Sequence, residues 1–287
     1  AANVMTTGVN NVATGYRALY YTTTGNTNTA SGLYALKCNT TGNGNVAYGG
    51  YAGQGAAGAT GSYNTAIGYE ALCGYSSGEH NTAVGTVALR ANTTGAENTA
   101  VGDRALYTNT TASYNTAYGK CSMYSNSSGC YNTASGNYSL LNNTSGCRNV
   151  ALGYRALNTN STGCCNTATG MYSLICNTTG SNNTATGYGA LNFNVGGANN
   201  AAVGRCSLYC NTSGNYNTAT GHDALKNNTS GAYNTASGYA SLISSTTGTY
   251  NTATGFLALG SNTTGYRNTA SGRYSGCNLT TGYDNTY

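Results

Sequence analysis

The motif Asn-(Thr/Val/Ala)-Ala-x-Gly returns every 17 residues from Asn11 to Asn285, with a single exception, the 19-residue interval between Asn45 and Asn64. A unit this short cannot enclose a core of its own. It has to bury its apolar positions against the copies before and after it, so the repeat constrains the architecture before any residue propensity is weighed. Numbered from the motif asparagine, the consensus reads Asn-Thr-Ala-x-Gly-x-x-(Ala/Ser)-Leu-x-x-Asn-Thr-Thr-Gly-x-x, as in Asn81 to Glu97.

The five motif residues predict one short strand, with Asn, Ala and Gly pointing one way and Thr and x the other. Alanine holds the third position in all sixteen full repeats, the mark of an interior site where a larger side chain would force the coils apart. Glycine holds the fifth position from Gly15 to Gly272, which predicts a corner with positive φ or close backbone approach. A second strand is expected to follow. Its Ala/Ser and Leu, being adjacent, would face opposite sides and leave a leucine column for a partner. Asn-Thr-Thr-Gly then reads as a turn with glycine in the left-handed position. The expected fold is an all-β parallel β-solenoid, a β-helix or β-roll of about 17 coils. Like residues should stack: Asn81, Ala83, Gly85 and Leu89 on Asn98, Ala100, Gly102 and Leu106. The whole chain, 1–287, reads as one repeat-built domain with an insertion near residues 50–63.

Composition narrows the function. Only 6% of residues are charged, so the surface relies on Asn, Thr, Ser and Tyr, which favours an assembled object over a small monomer. The 11 Lys and Arg are scattered rather than gathered into a basic stripe, and nucleic acid is not expected as a partner. No apolar run is long enough to cross a bilayer, so membrane insertion is not expected. The first residue, Ala1 rather than Met, suggests a processed product or a fragment.

Asn81 to Gly95 and Asn98 to Thr111 resemble the repeat arrays of tail-fibre-like and adhesin-like proteins of bacteriophages, large viruses and environmental bacteria. The Asn-x-Ala-x-Gly core is also similar to the shorter head repeats of trimeric autotransporter adhesins. The resemblance covers essentially the whole chain. It implies a fibre-like protein outside the cell, at a cell surface or on a virion, with trimeric self-association as one arrangement and a glycan or cell-surface receptor as a partner.

Catalysis needs several unlike groups to converge. The two histidines, His80 and His222, lie many coils apart. Glu79 and Glu97 lie on successive coils but have no acid/base environment around them. No catalytic residue, metal ligand set or cofactor is expected. Of the 11 cysteines, Cys130, Cys147 and Cys164 share one column on successive coils, close enough for one pair to bridge. Cys38, Cys73 and Cys277 have no cysteine on a neighbouring coil and are candidates for interchain bonds, with packed free thiols as the alternative. Tyr216, Tyr233 and Tyr250 form a column that could bind sugars or serve as a rigid aromatic ladder. Asn39, Asn92, Asn109, Asn126, Asn177, Asn211 and Asn262 open Asn-x-Ser/Thr sequons, readable as glycosylation sites or as turn chemistry.

The expected function is a structural subunit of an extracellular filament or fibre shaft that self-associates. A receptor- or glycan-binding adhesin or tail fibre is the alternative. An ice-binding solenoid is a third reading, resting on Thr167/Thr169 and Thr184/Thr186 and weakened where Tyr48 and Tyr118 interrupt the row.

Overall fold

The computed structural model describes residues 5–287; Ala1 lies outside them. The described residues form an all-β parallel β-solenoid with one three-residue strand per repeat and no helix. They group into two compact units, residues 5–145 and 146–287. The first carries eight strands, from β1 (Val12–Thr14) to β8 (Thr133–Ser135), and the second eight more, from β9 (Val150–Leu152) to β16 (Thr269–Ser271). Within each unit every strand pairs in parallel with the next, in strict register. Ala83 sits opposite Ala100, and Ala219 opposite Ala236.

Past the strand the coil departs from the expected second strand. In the repeat that starts at Asn28, the Ala35 N–H donates to the Gly32 carbonyl at 3.4 Å and the Lys37 N–H to the Tyr34 carbonyl at 3.2 Å. Each of these turns has a left-handed third residue, Tyr34 (φ 57°) and Leu36 (φ 49°), which is the type II signature. The same two positions are left-handed in repeat after repeat, for example Val87 and Leu89 or Arg104 and Leu106. A left-handed residue breaks the alternation of an extended chain. The consecutive Ala35 and Leu36 therefore both point inward and are buried. This corrects the expectation of a leucine column free for a partner: Leu89 and Leu106 are 0% exposed and complete the core with the two alanine columns.

Left-handed backbone costs about 1–2 kcal/mol for each residue bearing a side chain, and most coils hold three such positions, the third being the last residue of the repeat, as in Glu97 (φ 56°). Regular hydrogen bonding on both sides has to offset that cost. Asparagine supplies much of it through side chains buried in two columns. The Asn98 side-chain amide donates to Asn81 Oδ1 at 3.1 Å and to the Ala112 carbonyl at 2.8 Å, while its own Oδ1 accepts from the backbone N–H and the amide of Asn115. The twelfth-position asparagines form the second column. The Asn109 amide donates to Asn92 Oδ1 at 2.8 Å and to that same Ala112 carbonyl at 3.0 Å. The fifteenth-position carbonyl thus accepts one amide from each column, and the two bonds tie the closing turn of a coil to its strand.

Both conserved-looking glycine columns are set by space as well as by φ. A Cβ built on Gly85 (φ 129°) would lie 2.7 Å from the Gly102 carbonyl carbon and oxygen. At the fifteenth position the expected left-handed conformation is absent. Gly95 has no positive φ, and its added Cβ would press on the next coil's carbonyl oxygen and on Asn92 Oδ1. Alanine takes that position once, as Ala112, where it is buried.

The 19-residue coil also has a physical explanation. In the coil after it, Tyr75 occupies the twelfth position in place of asparagine and is completely buried. The added backbone of the insertion wraps its ring: a Cβ on Gly61 would be 3.0 Å from Tyr75 Cδ2, and one on Gly55 3.3 Å from Cε1. The Tyr75 hydroxyl donates to Asn39 Oδ1 at 3.2 Å, reaching across the coil that lacks an asparagine there.

Replacing Asn217 by alanine removes two donated amide bonds and leaves the Asn234 N–H without its acceptor. The expected loss is about 2–4 kcal/mol in urea unfolding, whereas Thr220→Ala on the exposed strand face should change stability by about 0.5 kcal/mol or less. Tyr75→Phe should lower stability by about 1–2 kcal/mol, since it leaves the buried Asn39 oxygen unsatisfied.

Candidate functional site

Because the interior is filled by backbone closure, variable chemistry is confined to the outward positions. These are positions two and four of the repeat, at the two ends of the strand, six and seven at the first corner, ten and eleven, and the last two. Side chains there stack on their counterparts one coil away.

Tyr216, Tyr233 and Tyr250 form a parallel stack with ring centroids 4.9 Å apart and interplanar angles of 6° and 1°. Both faces of the middle ring, Tyr233, are covered by its neighbours, so the column presents ring edges and hydroxyls outward. Tyr114 and Tyr131 repeat this arrangement in the first unit, and the charge of Glu97 raises the Tyr114 phenol above its ordinary range. Another set of tyrosines packs differently. Tyr16, Tyr34, Tyr51 and Tyr69, on four successive coils, meet in edge-to-face or tilted contacts with centroids 5.5, 5.3 and 5.9 Å apart. In such contacts the edge of one ring covers a face of the next; Tyr34 and Tyr51 are half-buried, and Tyr16 and Tyr69 at the two ends are exposed. Arg17 lies 5.2 Å from the Tyr16 centroid and Lys37 4.8 Å from that of Tyr34, adding cation–π contacts to the ribbon. The Tyr216, Tyr233 and Tyr250 column is visible in the sequence as a single position, whereas the Tyr16 to Tyr69 ribbon is not, because its rings are split between the sixth and seventh positions.

The two histidines lie in different units. His80 stacks on Tyr63 at 5.1 Å. His222 belongs to the densest group of charges: its Nδ1 lies 3.2 Å from Asp223 Oδ2, its Nε2 is 2.9 Å from Arg205 Nη1, and Lys226 Nζ is 3.2 Å from Asp223 Oδ1. Glu70 pairs with Arg90 at 2.6 Å, and that bond holds its carboxyl below the usual carboxylate range. Among the described residues no group of three or more His, Cys, Asp or Glu is arranged to hold a metal ion, and no helix is long and apolar enough to cross a membrane.

No disulfide joins the described cysteines. The Cys130, Cys147 and Cys164 column has a different local logic. Its position serves as a side-chain acceptor for the backbone N–H one coil earlier: Ser113 accepts from Ala96, Ser181 from Cys164, and Asn215 from Ala198. Cys164 Sγ takes the same role toward the Cys147 N–H at 3.2 Å. Sulfur here replaces a hydroxyl or amide oxygen. Cys38, Cys73 and Cys277 are half-buried; Cys38 lines a shallow apolar groove with Tyr21, Ala57 and Gly58 beside the insertion, and Cys73 Sγ lies 3.6 Å from Gln54 Oε1. The seven sequon asparagines are 0% exposed. The nitrogen that a glycan would modify is the one that donates to the fifteenth-position carbonyl, as in Asn177 to Gly180 at 2.9 Å. Turn chemistry therefore accounts for these seven sequons, and the folded chain closes these seven to modification, whereas the sequon asparagines Asn137 and Asn278 are exposed.

Comparison with protein-family models, with curated proteins and with solved structures returns no match for this chain.

Burial pushes the thiols of Cys38, Cys73, Cys121, Cys176 and Cys210 up, and the Tyr75 phenol with them. An acid whose folded pKa is raised stabilises the fold below its unfolded value and loses that contribution as pH climbs through the folded one. Glu70 behaves in the opposite sense, stabilising above about pH 4.3 and less so below it, and its exposed pair contributes little. The melting temperature should accordingly be nearly flat from about pH 5 to pH 8, fall slightly in acid, and fall steeply above about pH 9, where unfolded thiols ionise. Thermal melts under reducing conditions across that range check it.

Proposed function

We propose that this chain is a structural subunit of an extracellular filament or fibre shaft, at a cell or virion surface, built by self-association of β-solenoids. The observation that carries the reading is the division of labour within each coil. Inward side chains are engaged in holding coils in register, and outward ones form long uncharged columns that repeat with the coil. Such a surface suits lateral contact with another surface of the same period. The resemblance to tail-fibre and adhesin repeats points the same way. Negative-stain electron microscopy of the purified chain should reveal elongated assemblies, with sedimentation giving masses above the monomer. Compact, monodisperse monomers at micromolar concentration would reject the reading.

The adhesin alternative gains from one feature, the ribbon Tyr16, Tyr34, Tyr51 and Tyr69, whose rings meet edge to face or tilted and form an irregular aromatic surface, exposed at Tyr16 and Tyr69, against which sugars can pack. On a glycan array, binding that Tyr34→Ala with Tyr51→Ala abolishes, and that Tyr233→Ala leaves intact, would favour the adhesin. Absence of any glycan signal would favour the passive shaft.

A further inference from the structure

We infer that the outward strand face centred on Val84 is where two copies of this chain pack together, face to face and antiparallel. The inference rests on the self-association reading and assigns it a surface.

At the fourth position five successive coils of the first unit carry Tyr48, Ile67, Val84, Val101 and Tyr118, register neighbours down one column. Tyr48 is 65%, Ile67 40% and Tyr118 60% exposed. Ser31 precedes this run and Ser135 follows it, so an apolar strip is bounded by hydroxyls. The second unit is an internal control. There the same position, in the same coil geometry, is mostly hydroxyl: Thr169, Thr186, Thr220, Ser237, Thr254 and Ser271. The coil does not require an apolar residue at this site. Five apolar residues in a row, exposed at Tyr48, Ile67 and Tyr118 and half-buried at Val84 and Val101, therefore call for a covering surface.

The order of the strip identifies that surface. Tyr-Ile-Val-Val-Tyr is symmetric in size and shape about Val84. A two-fold axis through Val84 and along the strand direction sets Tyr48 against Tyr118, Ile67 against Val101, and Val84 against its own copy. Such a contact is isologous and closed. A second copy also brings the same rung spacing, so side chains interdigitate along the whole strip, whereas an unrelated partner would match only locally. The area is sufficient. With about 150–250 Å² offered by a tyrosine, the two tyrosines, the aliphatic residues between them and the neighbouring threonine column supply on the order of 600 Å² per copy, or about 1,200 Å² for the pair, the lower bound for a specific interface.

The full chain should sediment as a dimer at micromolar concentration. Val84→Lys, which places two ammonium groups at the axis, should give a monomer with an unchanged circular dichroism spectrum and melting profile, and Thr220→Lys, at the same position in the second unit, should remain dimeric. Ile67→Thr combined with Val101→Thr installs residues the second unit already uses at this position, and should weaken dimerisation at least tenfold even if the lysine variant folds poorly. Variants that associate as the unsubstituted chain does, or a trimer insensitive to them, would overturn the inference and leave self-association standing. A chain that is monomeric at every concentration would overturn both.

Discussion

The amide bonds that converge on the fifteenth-position carbonyl are the interaction on which the rest of the structure depends. Most coils have a thin interior of an alanine, a second alanine or a serine, and a leucine, and burial at about 25 cal/mol per Å² of apolar surface is a modest return for ordering seventeen residues. Asparagine resolves this because its side chain is a second peptide group. One face of it repeats the backbone ladder from coil to coil, and the other closes the coil on itself. Where Asn81 and Asn92 both donate to the Gly95 carbonyl, at 2.9 and 2.8 Å, strand and turn become a single ring. Glutamine would overreach that carbonyl, and aspartate would lack the donor.

With the ring closed, the left-handed residues follow. A 17-residue circuit that must bring alanine and leucine inward side by side has to reverse the sense of the chain between them, and positive φ at Leu89 and its counterparts does so. The strain is shared along a column in which every coil makes the same turn. Outward positions are then free of structural duty. That freedom allows the two units to carry different surfaces on one scaffold, apolar around Val84 and mostly hydroxyl from Thr167 to Ser271, and to hold tyrosines either stacked or edge to face.

Much of this was legible in the sequence. The period, the parallel register, the inward alanine and the corner at Gly85 all follow from exact repetition, because a position restricted to one residue in every copy reports a contact between copies. What the sequence concealed has specific causes. Leucine at the ninth position reads as part of a strand because alternation is the default for apolar neighbours, and nothing in the letters marks Leu89 as left-handed when most such sites elsewhere are glycine or asparagine. Gly95 was read through its φ preference, although its constraint is the carbonyl of the coil beyond. The insertion near residues 50–63 shows in the letters only as two extra residues. Its cause, the Tyr75 ring, stands in the next repeat at a position where asparagine had been expected. The Tyr16 to Tyr69 ribbon is hidden in the letters for a related reason: its rings are split between the sixth and seventh positions, so no single column contains it.

The claim that side-chain amides act as backbone throughout the core is most directly tested by hydrogen exchange at asparagine Nδ2, followed by nitrogen-15 NMR of the intact chain. Asparagines of the first and twelfth positions, such as Asn98 and Asn109, should exchange as slowly as the strand N–H groups of Thr99 and Thr116, while the exposed amide of Asn215 exchanges rapidly. Fast exchange at Asn98 and Asn109 in an otherwise protected chain would contradict the account.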